Sequence, residues 1–288
     1  MALDTNILNL LCDLHKKDFF SEIKNVIDMG DQDLNISFTE LKNNLSYMEL
    51  KEFHEILEHA KTFPNRPRLS TALLWKILGL KVADRLDIIQ LERLKIDPID
   101  NFYKVDLNYP INKQVEIGQY DLVTDFGNNE HPFNIAESYN SMHNLCKKNG
   151  YMIIQQAIYG GNGFYNFDIS FFENISAVNN YTIVYSSLVF FSKDNFINTP
   201  VDQSYLKMMD LKSLSNIEVI YIFKKKSESS FCYPYQGSGK SISNEQYFDS
   251  KFHFMNRFPS RTYIPKSYND LSLKNYFRFL KNKLLRKK

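Results

Sequence analysis

Short apolar runs alternate along this chain with amphipathic segments of helical spacing, and this alternation constrains the fold more than any other feature. The helical segments are residues 5–20, 38–62, 70–79, 132–148 and 170–177. The apolar runs, which predict strands, are residues 24–31, 81–88, 102–106, 120–127, 151–156, 181–191 and 217–223. Strands that alternate with helices form mostly parallel sheets, with crossover helices on the faces. We therefore expect an α/β fold.

The composition supports a folded chain and excludes two classes of protein. Of the 288 residues, 43% are hydrophobic, which is enough apolar material for a sizeable core and excludes wholesale disorder. The formal net charge is only +2, so a globally basic nucleic-acid-binding protein is not indicated. No apolar run approaches the roughly 20 residues of a membrane-spanning helix, and no signal segment begins the chain. We expect a soluble, cytoplasmic protein.

The spacing of cysteine and histidine residues indicates no metal site. Cys12, Cys146 and Cys232 are too far apart for a zinc-binding pattern, and we interpret them as buried, reduced thiols. His54 and His59 are five residues apart, whereas a helical zinc pair is separated by four. The sequence therefore predicts no bound metal.

Four successive predicted strands end in polar residues. These ends are residues 28–32, Asp87, residues 106–108 and residues 125–131. In open parallel sheets, ligands bind beyond the carboxyl ends of the strands, where the chain turns into the next helix. Gly30 would let the backbone approach a ligand closely, and Asp87 is placed to accept hydrogen bonds from ribose hydroxyl groups. The sequence therefore predicts a nucleotide-like ligand at this edge.

Three segments resemble one subgroup of the class I S-adenosylmethionine-dependent methyltransferases. They are YDLVTDFGNNEHPFN at 120–134, KKNGYMII at 147–154 and GNGFYNF at 161–167. The resemblance covers about residues 20–235. It implies a Rossmann-like sheet of seven mostly parallel strands with helices on both faces and an antiparallel last strand. It also implies S-adenosylmethionine as the cofactor.

The resemblance assigns cofactor-binding roles to residues at the strand ends. The first glycine-rich turn, under the methionine part of the cofactor, would hold Asp28 and Gly30. Asp87 would bind the ribose, and Asp106 with Leu107 would meet the adenine. The wall beside the methyl donor would be formed by Asp125, Phe126 and Gly127.

Two departures from the family pattern leave a second interpretation open. The first turn keeps only one of three usual glycines, and Asp31 and Asp33 add carboxylates near the place of the cofactor's own carboxylate. Asn162 stands where the subgroup often has a histidine, and an amide does not titrate. The alternative to an enzyme is therefore a catalytically degenerate methyltransferase fold that serves as a binding or partner module.

Glu130 and His131, which follow the fourth strand, are the candidate catalytic residues. A neutral His131 imidazole could accept a proton from the acceptor, although the same residue could instead cap the next helix. Glu130 is a candidate contact to substrate or cofactor. The expected reaction is O-methyl transfer to a small-molecule or saccharide-type acceptor. The saccharide is inferred only by analogy with this subgroup.

We expect a methyltransferase-like domain over residues 1–236 and an irregular extension over 237–288. Within the domain, the helical segment 38–78 would lie near the cleft and shape the acceptor pocket. Residues 274–288 carry seven basic side chains and no acid. This amphipathic tail could pack on the domain with a solvated basic end, or make weak contact with an anionic membrane surface. It is too short to indicate a nucleic-acid groove.

Overall fold

The computed structural model describes residues 2–48, 53–54, 69–91, 93, 97–192, 196–202, 206 and 214–235. The proposed extension over 237–288, including the basic tail, lies outside the described residues. Most of the helical segment between positions 49 and 68 does so as well. The domain boundary and the role of the tail therefore stay predictions.

Ten strands form within the described residues. In chain order they are β1 (Ala2–Leu3), β2 (Asn25–Met29), β3 (Asp33–Leu34), β4 (Val82–Asp87), β5 (Phe102–Lys104), β6 (Tyr120–Phe126), β7 (Cys146–Tyr159), β8 (Tyr181–Phe191), β9 (Phe196–Thr199) and β10 (Asn216–Lys225). β1 and β3 pair in a small parallel sheet. The other eight form the central sheet in the order β5-β4-β2-β6-β7-β10-β8-β9.

The central sheet confirms the predicted fold class. β5, β4, β2, β6 and β7 pair in parallel, whereas β10 runs antiparallel to both β7 and β8. The last strand in the chain is thus antiparallel, as expected for the Rossmann-like sheet. The strand count is eight instead of seven, because β9 adds an antiparallel edge to β8. This four-residue strand is too short to show a period in the sequence.

Five helices of the described residues connect these strands. They are α1 (Thr5–His15), α2 (Phe38–Asn44), α3 (Thr71–Ile77), α4 (Ile135–Leu145) and α5 (Ile169–Val178), and a 3₁₀ turn covers Ile111–Lys113. Ser70 caps α3, because its side chain accepts a hydrogen bond from the Ala72 amide. Gly79 follows with φ +90°, the left-handed conformation that ends many helices.

The junction between α4 and β7 differs from the sequence prediction. The sequence predicts a helix up to residue 148, but the helix ends at Leu145, and Lys147, Lys148 and Gly150 belong to β7. Lys147 Nζ lies 2.8 Å from a carboxylate oxygen of Asp121 on the neighbouring β6. A side chain at Gly150 would approach the Lys147 carbonyl oxygen to 2.9 Å, so glycine is needed for the strand geometry rather than for a helix cap.

The core lies on both faces of the central sheet. Consecutive strand residues enter opposite apolar clusters, as the two-residue period of a strand requires. The cluster that contains Val26 and Leu122 packs against α1 and α3, whereas the cluster that contains Ile27 and Val123 packs against α4 and α5. Helices therefore cover both faces, and the strand ends remain at the edges of the core.

The three cysteines are all free thiols, but they are not all buried. Cys12 and Cys146 are buried as predicted, whereas Cys232 is exposed and the prediction for it was wrong. Cys232 lies beyond the end of β10, in residues 226–235 that form no regular element. Each helix in the described ranges is too short or too polar to cross a lipid bilayer.

Candidate functional site

The carboxyl ends of the parallel strands meet at one edge of the sheet, and β10 begins there because it runs in the opposite direction. This edge collects the predicted site residues of β2, β4 and β6. Asp28 of β2 is paired in register with Arg85 of β4 on one side and with Thr124 of β6 on the other. Chain segments far apart in the sequence therefore share one site.

Gly30 forms the first turn after β2 with φ +94°, a conformation that favours glycine. Its amide donates to the Leu86 carbonyl at 2.8 Å. A Cβ atom at this position would lie 2.7 Å from Oδ1 of Asn128. The turn therefore requires glycine, and its open side faces the Asn128 side chain of the loop after β6.

Asp28 is held inside the fold by three side chains. Thr71, Trp75 and Thr124 all donate to its carboxylate, with Trp75 Nε1 3.0 Å from Oδ1. Burial raises the pKa of Asp28, while the positive charge of Arg85 opposes the shift. Asp28 thus anchors α3 against the first turn, and it does not line the cavity described below.

The two additional carboxylates of the first turn are neutralised by arginines. The guanidinium group of Arg85 pairs with Asp31, and Arg93 reaches both Asp31 at 2.5 Å and Asp33. The Leu91 amide donates to the other oxygen of Asp31 at 2.7 Å. The sequence analysis did not predict that Arg85 and Arg93 pair with these carboxylates. Arg85 lies in β4, the strand beside the first turn, and Arg93 lies in the segment after β4.

Asp87 lies at the end of β4, beside the first turn. Its carboxylate accepts hydrogen bonds from the Asp31 amide at 2.8 Å and from the Ile88 amide at 2.6 Å. These amides orient the carboxylate at the predicted edge of the sheet. The negative charge of Asp87 opposes the lowering of the pKa of His131, which lies in the loop after β6.

His131 is exposed at the rim of the site. Burial lowers the pKa of its imidazole below the ordinary value of 6.5, so the ring is neutral near pH 7. Its Nε2 atom lies 3.8 Å from Oε1 of Glu130, which is too long for a hydrogen bond. The ring therefore makes no hydrogen bond with the Glu130 carboxyl group, and a neutral imidazole can accept a proton.

Asp106 and Leu107 lie apart from this group, after the edge strand β5. Asp106 Oδ1 accepts from the Asn108 amide at 2.9 Å, and Gln114 holds the Asp106 backbone. Leu107 is buried in the apolar core. Two strands, β4 and β2, separate β5 from β6 in the sheet, and the adenine contact assigned to Asp106 and Leu107 stays a prediction.

A cavity of about 300 Å³ opens at the same edge, between the ends of β6 and β7 and the start of β10. It is lined by Asp4, Phe126, Gly127, Glu130, Gln155, Gln156, Ala157, Gly160, Gly161, Asn162, Asn216 and Glu218. Of the predicted site residues, Phe126, Gly127 and Glu130 meet here. The sequence analysis did not identify Asp4, which precedes α1, or the polar lining residues of β7 and β10, because these chain segments carry no motif.

Asp125 is fully buried directly behind the cavity. Its Oδ1 accepts from the Asn128 amide at 2.7 Å, and its Oδ2 accepts from Nε2 of Gln156 at 2.5 Å. Burial raises the pKa of Asp125 to about 7. This carboxyl group shapes the turn after β6 and fixes the orientation of the Gln156 amide.

Glu130 is covered by the loop that follows β7. The Phe164 amide donates to the Glu130 carbonyl at 2.8 Å. A Cβ atom at Gly163 would lie only 2.5 Å from that carbonyl oxygen, so glycine permits the close approach of the two loops. Burial raises the pKa of the Glu130 carboxyl group, while the nearby backbone amides of Ala157 and Gly163 oppose the shift.

Glu218 and Asp4 add two more carboxyl groups to the cavity that Glu130 lines. Burial raises the pKa of Glu218 to about 8, and the negative charge of Asp4 adds to the effect. Burial also raises the pKa of Asp4, whose Oδ1 accepts from the Ile7 amide at 3.0 Å and caps α1. Within the described ranges, no group of three His, Cys, Asp or Glu side chains is placed to hold a metal ion.

Comparisons with known proteins gave matches only among solved structures. No protein-family model matches the chain, and no curated protein matches its sequence. A protein provisionally described as a hemolysin from Lactococcus lactis is 9% identical, covers 78% of this chain and 88% of its own, and has a TM-score of 0.42.

Two further matches are described as methyltransferases. One is 1,6-didemethyltoxoflavin-N1-methyltransferase of Burkholderia thailandensis with bound S-adenosylhomocysteine, at 12% identity, 76% and 77% coverage and a TM-score of 0.40. The other is a TehB-like enzyme of Corynebacterium glutamicum, at 14% identity, 74% and 86% coverage and a TM-score of 0.41. Similarity this low decides neither ligand nor substrate. The mostly parallel sheet with its antiparallel last strand gives the chain itself a Rossmann-like fold.

Proposed function

We propose that this protein is an S-adenosylmethionine-dependent methyltransferase that methylates a hydroxyl group of a small, saccharide-type acceptor. The observation that carries the proposal is the polar cavity at the carboxyl edge of the sheet, directly beside Phe126 and Gly127. In this fold class, ligands bind at that edge. A methyl donor along the ends of β2, β4 and β6 would stand next to an acceptor in the cavity.

The residues at the edge fit the cofactor in most respects. Asp87 presents a carboxylate held by two backbone amides, and such a group binds a pair of hydroxyl groups well. Arg85 and Arg93 offset the charges of Asp31 and Asp33, which removes the repulsion expected for the cofactor's own carboxylate. The cofactor supplies a methyl group on a positively charged sulfur when it is bound.

The chain's own residues would contribute mainly by alignment. Phe126 and Gly127 would form the wall between donor and acceptor, and the rigid turn at Asp125 would hold them in place. Alignment of two reactants removes a large part of a transfer barrier. His131, neutral at pH 7, would accept the proton released by the acceptor hydroxyl group.

The cavity and its rim suit a saccharide-type acceptor. Carboxyl and amide groups line the cavity, and such groups bind the hydroxyl groups of a small polar molecule. Phe133 and Phe164 flank the loops that carry Glu130 and Asn162, and they are 77% and 73% exposed. Their ring centroids are 6.3 Å apart. Neighbouring exposed aromatic side chains are typical of a ligand-binding surface.

Isothermal titration calorimetry with S-adenosylhomocysteine tests the proposal. We expect saturable binding with one site per chain and a rise in the melting temperature. The absence of both heat and thermal shift at millimolar ligand would overturn the enzyme proposal. A Gly118→Ala variant is a suitable control, because an added Cβ there meets no atom within 4 Å.

One observation favours the alternative of a degenerate fold that acts as a binding module. The Asn128 side chain occupies the space over Gly30, where the family brings backbone and cofactor together. If that side chain blocks the cofactor, Asn128→Ala should bind S-adenosylhomocysteine while the wild-type protein does not. Binding by the wild-type protein would exclude this alternative.

A further inference from the structure

Three carboxyl groups are among the described side chains that line the cavity. Asp4, Glu130 and Glu218 come from α1, the loop after β6 and β10. The described lining contains no lysine, arginine or histidine. In the neighbouring first turn, by contrast, Asp31 is paired with arginine. The described lining therefore offers several carboxyl groups without a lysine, arginine or histidine among them.

Three amide side chains of the lining each donate a hydrogen bond to a carboxyl group. Gln156 Nε2 donates to Asp125, Gln155 Nε2 donates to Glu218, and Asn216 Nδ2 donates to Glu218. The carbonyl oxygens of Gln156 and Asn216 have no hydrogen-bond partner in the described part of the chain. Gln156 is only 1% exposed, and a buried amide oxygen without a partner is costly.

The unsatisfied atoms of the cavity are thus acceptors. Oε2 of Glu130 also makes no hydrogen bond within the described ranges, although this residue is 1% exposed. Three such acceptors call for a ligand group that carries several donors. A protonated amine has three donors and a positive charge, whereas a hydroxyl group has one donor and no charge.

The protonation of the cavity agrees with a missing cation. Burial and the charges of Asp4 and Glu130 raise the pKa of Glu218, while Gln155 and Asn216 oppose the shift. Carboxyl groups that repel one another retain protons when no cation is near. Since the described residues offer no metal-binding group, an organic cation fits better than a metal ion.

We propose that this cavity binds the protonated amino group of the acceptor, so that the substrate is a small amino sugar or amino alcohol. The identification of the bound amine as the methyl acceptor rests on the proposed function, whereas the binding of an amine in the cavity does not. A volume of about 300 Å³ suits a small molecule of this class, because small-molecule sites begin at roughly 300 Å³. The exposed rings of Phe133 and Phe164 would meet the apolar side of such a ligand.

The test uses pairs of compounds in which an amino group replaces a hydroxyl group. Glucosamine against glucose and 2-aminoethanol against ethylene glycol are two such pairs, and ligand-observed NMR at pH 7.5 measures their binding to the full chain. We expect the amine of a pair to bind at least tenfold more tightly than its neutral partner. Equal binding within pairs, or no binding by any amine, would overturn the inference.

Two variants connect this binding to the cavity. Glu130→Gln removes one lining carboxylate and should reduce amine affinity at least tenfold, while leaving the affinity of neutral partners unchanged. Glu116→Gln, in the loop before β6 and outside the cavity lining, should have no effect. Equal loss in both variants would indicate an unspecific charge effect and contradict the inference.

Titration with S-adenosylhomocysteine separates the two proposals. Binding of S-adenosylhomocysteine without amine selectivity would refute the acceptor class alone. Amine selectivity without binding of S-adenosylhomocysteine would refute the methyltransferase proposal and leave an amine-binding module. Each result therefore decides one proposal independently of the other.

Discussion

Oδ1 of Asn128 lies 2.7 Å from the position that a Cβ atom would take at Gly30, so one side chain of the loop after β6 determines the residue allowed in the first turn. This contact joins two strand ends that are adjacent only in the folded sheet. Gly79 has a similar positive φ, but an added Cβ there meets no atom within 4 Å. The cost of the positive φ can therefore be measured separately from the cost of the clash with Asn128.

We expect Gly30→Ala to lower the free energy of unfolding by more than Gly79→Ala. Both residues have positive φ, which costs about 1–2 kcal/mol for alanine. Only the Gly30 variant adds a clash with Asn128, and the additional Asn128→Ala substitution should remove that part. Chemical denaturation compares these three variants with the wild-type protein. Equal losses for the two glycine variants would show that the contact is unimportant.

Asp87→Ala should weaken S-adenosylhomocysteine binding about tenfold or more, because charge-assisted hydrogen bonds to the ribose would be lost. Calorimetry measures the affinity, and the melting temperature checks that the loss of the Asp31 amide contact has not unfolded the turn. Asp87→Asn should lose less, since it keeps one acceptor. Unchanged affinity in a folded Asp87→Ala protein would remove Asp87 from the proposed site.

Arg85→Met should destabilise the fold by about 3–5 kcal/mol, because it leaves the buried Asp31 carboxylate with one partner fewer. Lys147→Met provides the comparison. Its ion pair with Asp121 is equally simple, but the lysine side chain is 41% exposed, so the expected loss is below about 1 kcal/mol. Urea titration distinguishes the two values. Similar losses would mean that the Asp31 cluster is not a buried charge pair.

The free energy of unfolding should fall as the pH rises toward 8. The pKa of Glu218 is about 8 in the folded protein and 4.5 in the unfolded chain, so the folded state holds the extra proton between these values. Stability from this group is present below pH 4.5 and is lost through pH 8, by at most about 1.4 kcal/mol per pH unit. Asp125, with a pKa of about 7, contributes the same sign at lower pH.

Glu218→Gln should flatten this dependence most clearly between pH 7 and 8, where Asp125 has largely titrated. Urea denaturation at several pH values measures the slope. A slope that persists unchanged in the variant would assign the proton to another group.

The pKa of His131 should lie below 6.5, and Asp87→Asn should lower it further by removing a negative charge. Two-dimensional NMR of the imidazole groups measures the titration, and a His131→Gln variant assigns the signal. Glu116→Gln should leave this pKa unchanged. An unaltered pKa in Asp87→Asn would show that β4 and the loop after β6 do not face each other closely.

The sequence predicts the parallel part of the sheet well, because four of its five strands are apolar runs that end close to an acid. It fails at β9, which is too short to show a pattern, and at the junction of α4 with β7. At that junction, Lys147 could close a helix, but pairing with Asp121 on β6 places it in a strand. The deciding contact lies between residues far apart in the chain, and local patterns do not contain it.

The candidate site shows the same division. Phe126, Gly127 and Glu130 are visible in the sequence because they follow a recognisable strand. Asp4 and Glu218 are separated by more than 200 positions, and only the folded sheet brings both to one cavity. Their proposed role depends on the absence of lysine, arginine and histidine from the described lining of the cavity. Only the folded chain shows which residues form that lining.

The carboxyl group of Asp4 begins the first helix and also lines the cavity. A charged carboxylate at a helix N-terminus favours the helix, whereas a protonated one favours it less. Any molecule that draws the proton from Asp4 would therefore strengthen the first turn of α1. A cation bound in the cavity would in this way stabilise the amino-terminal helix through Asp4.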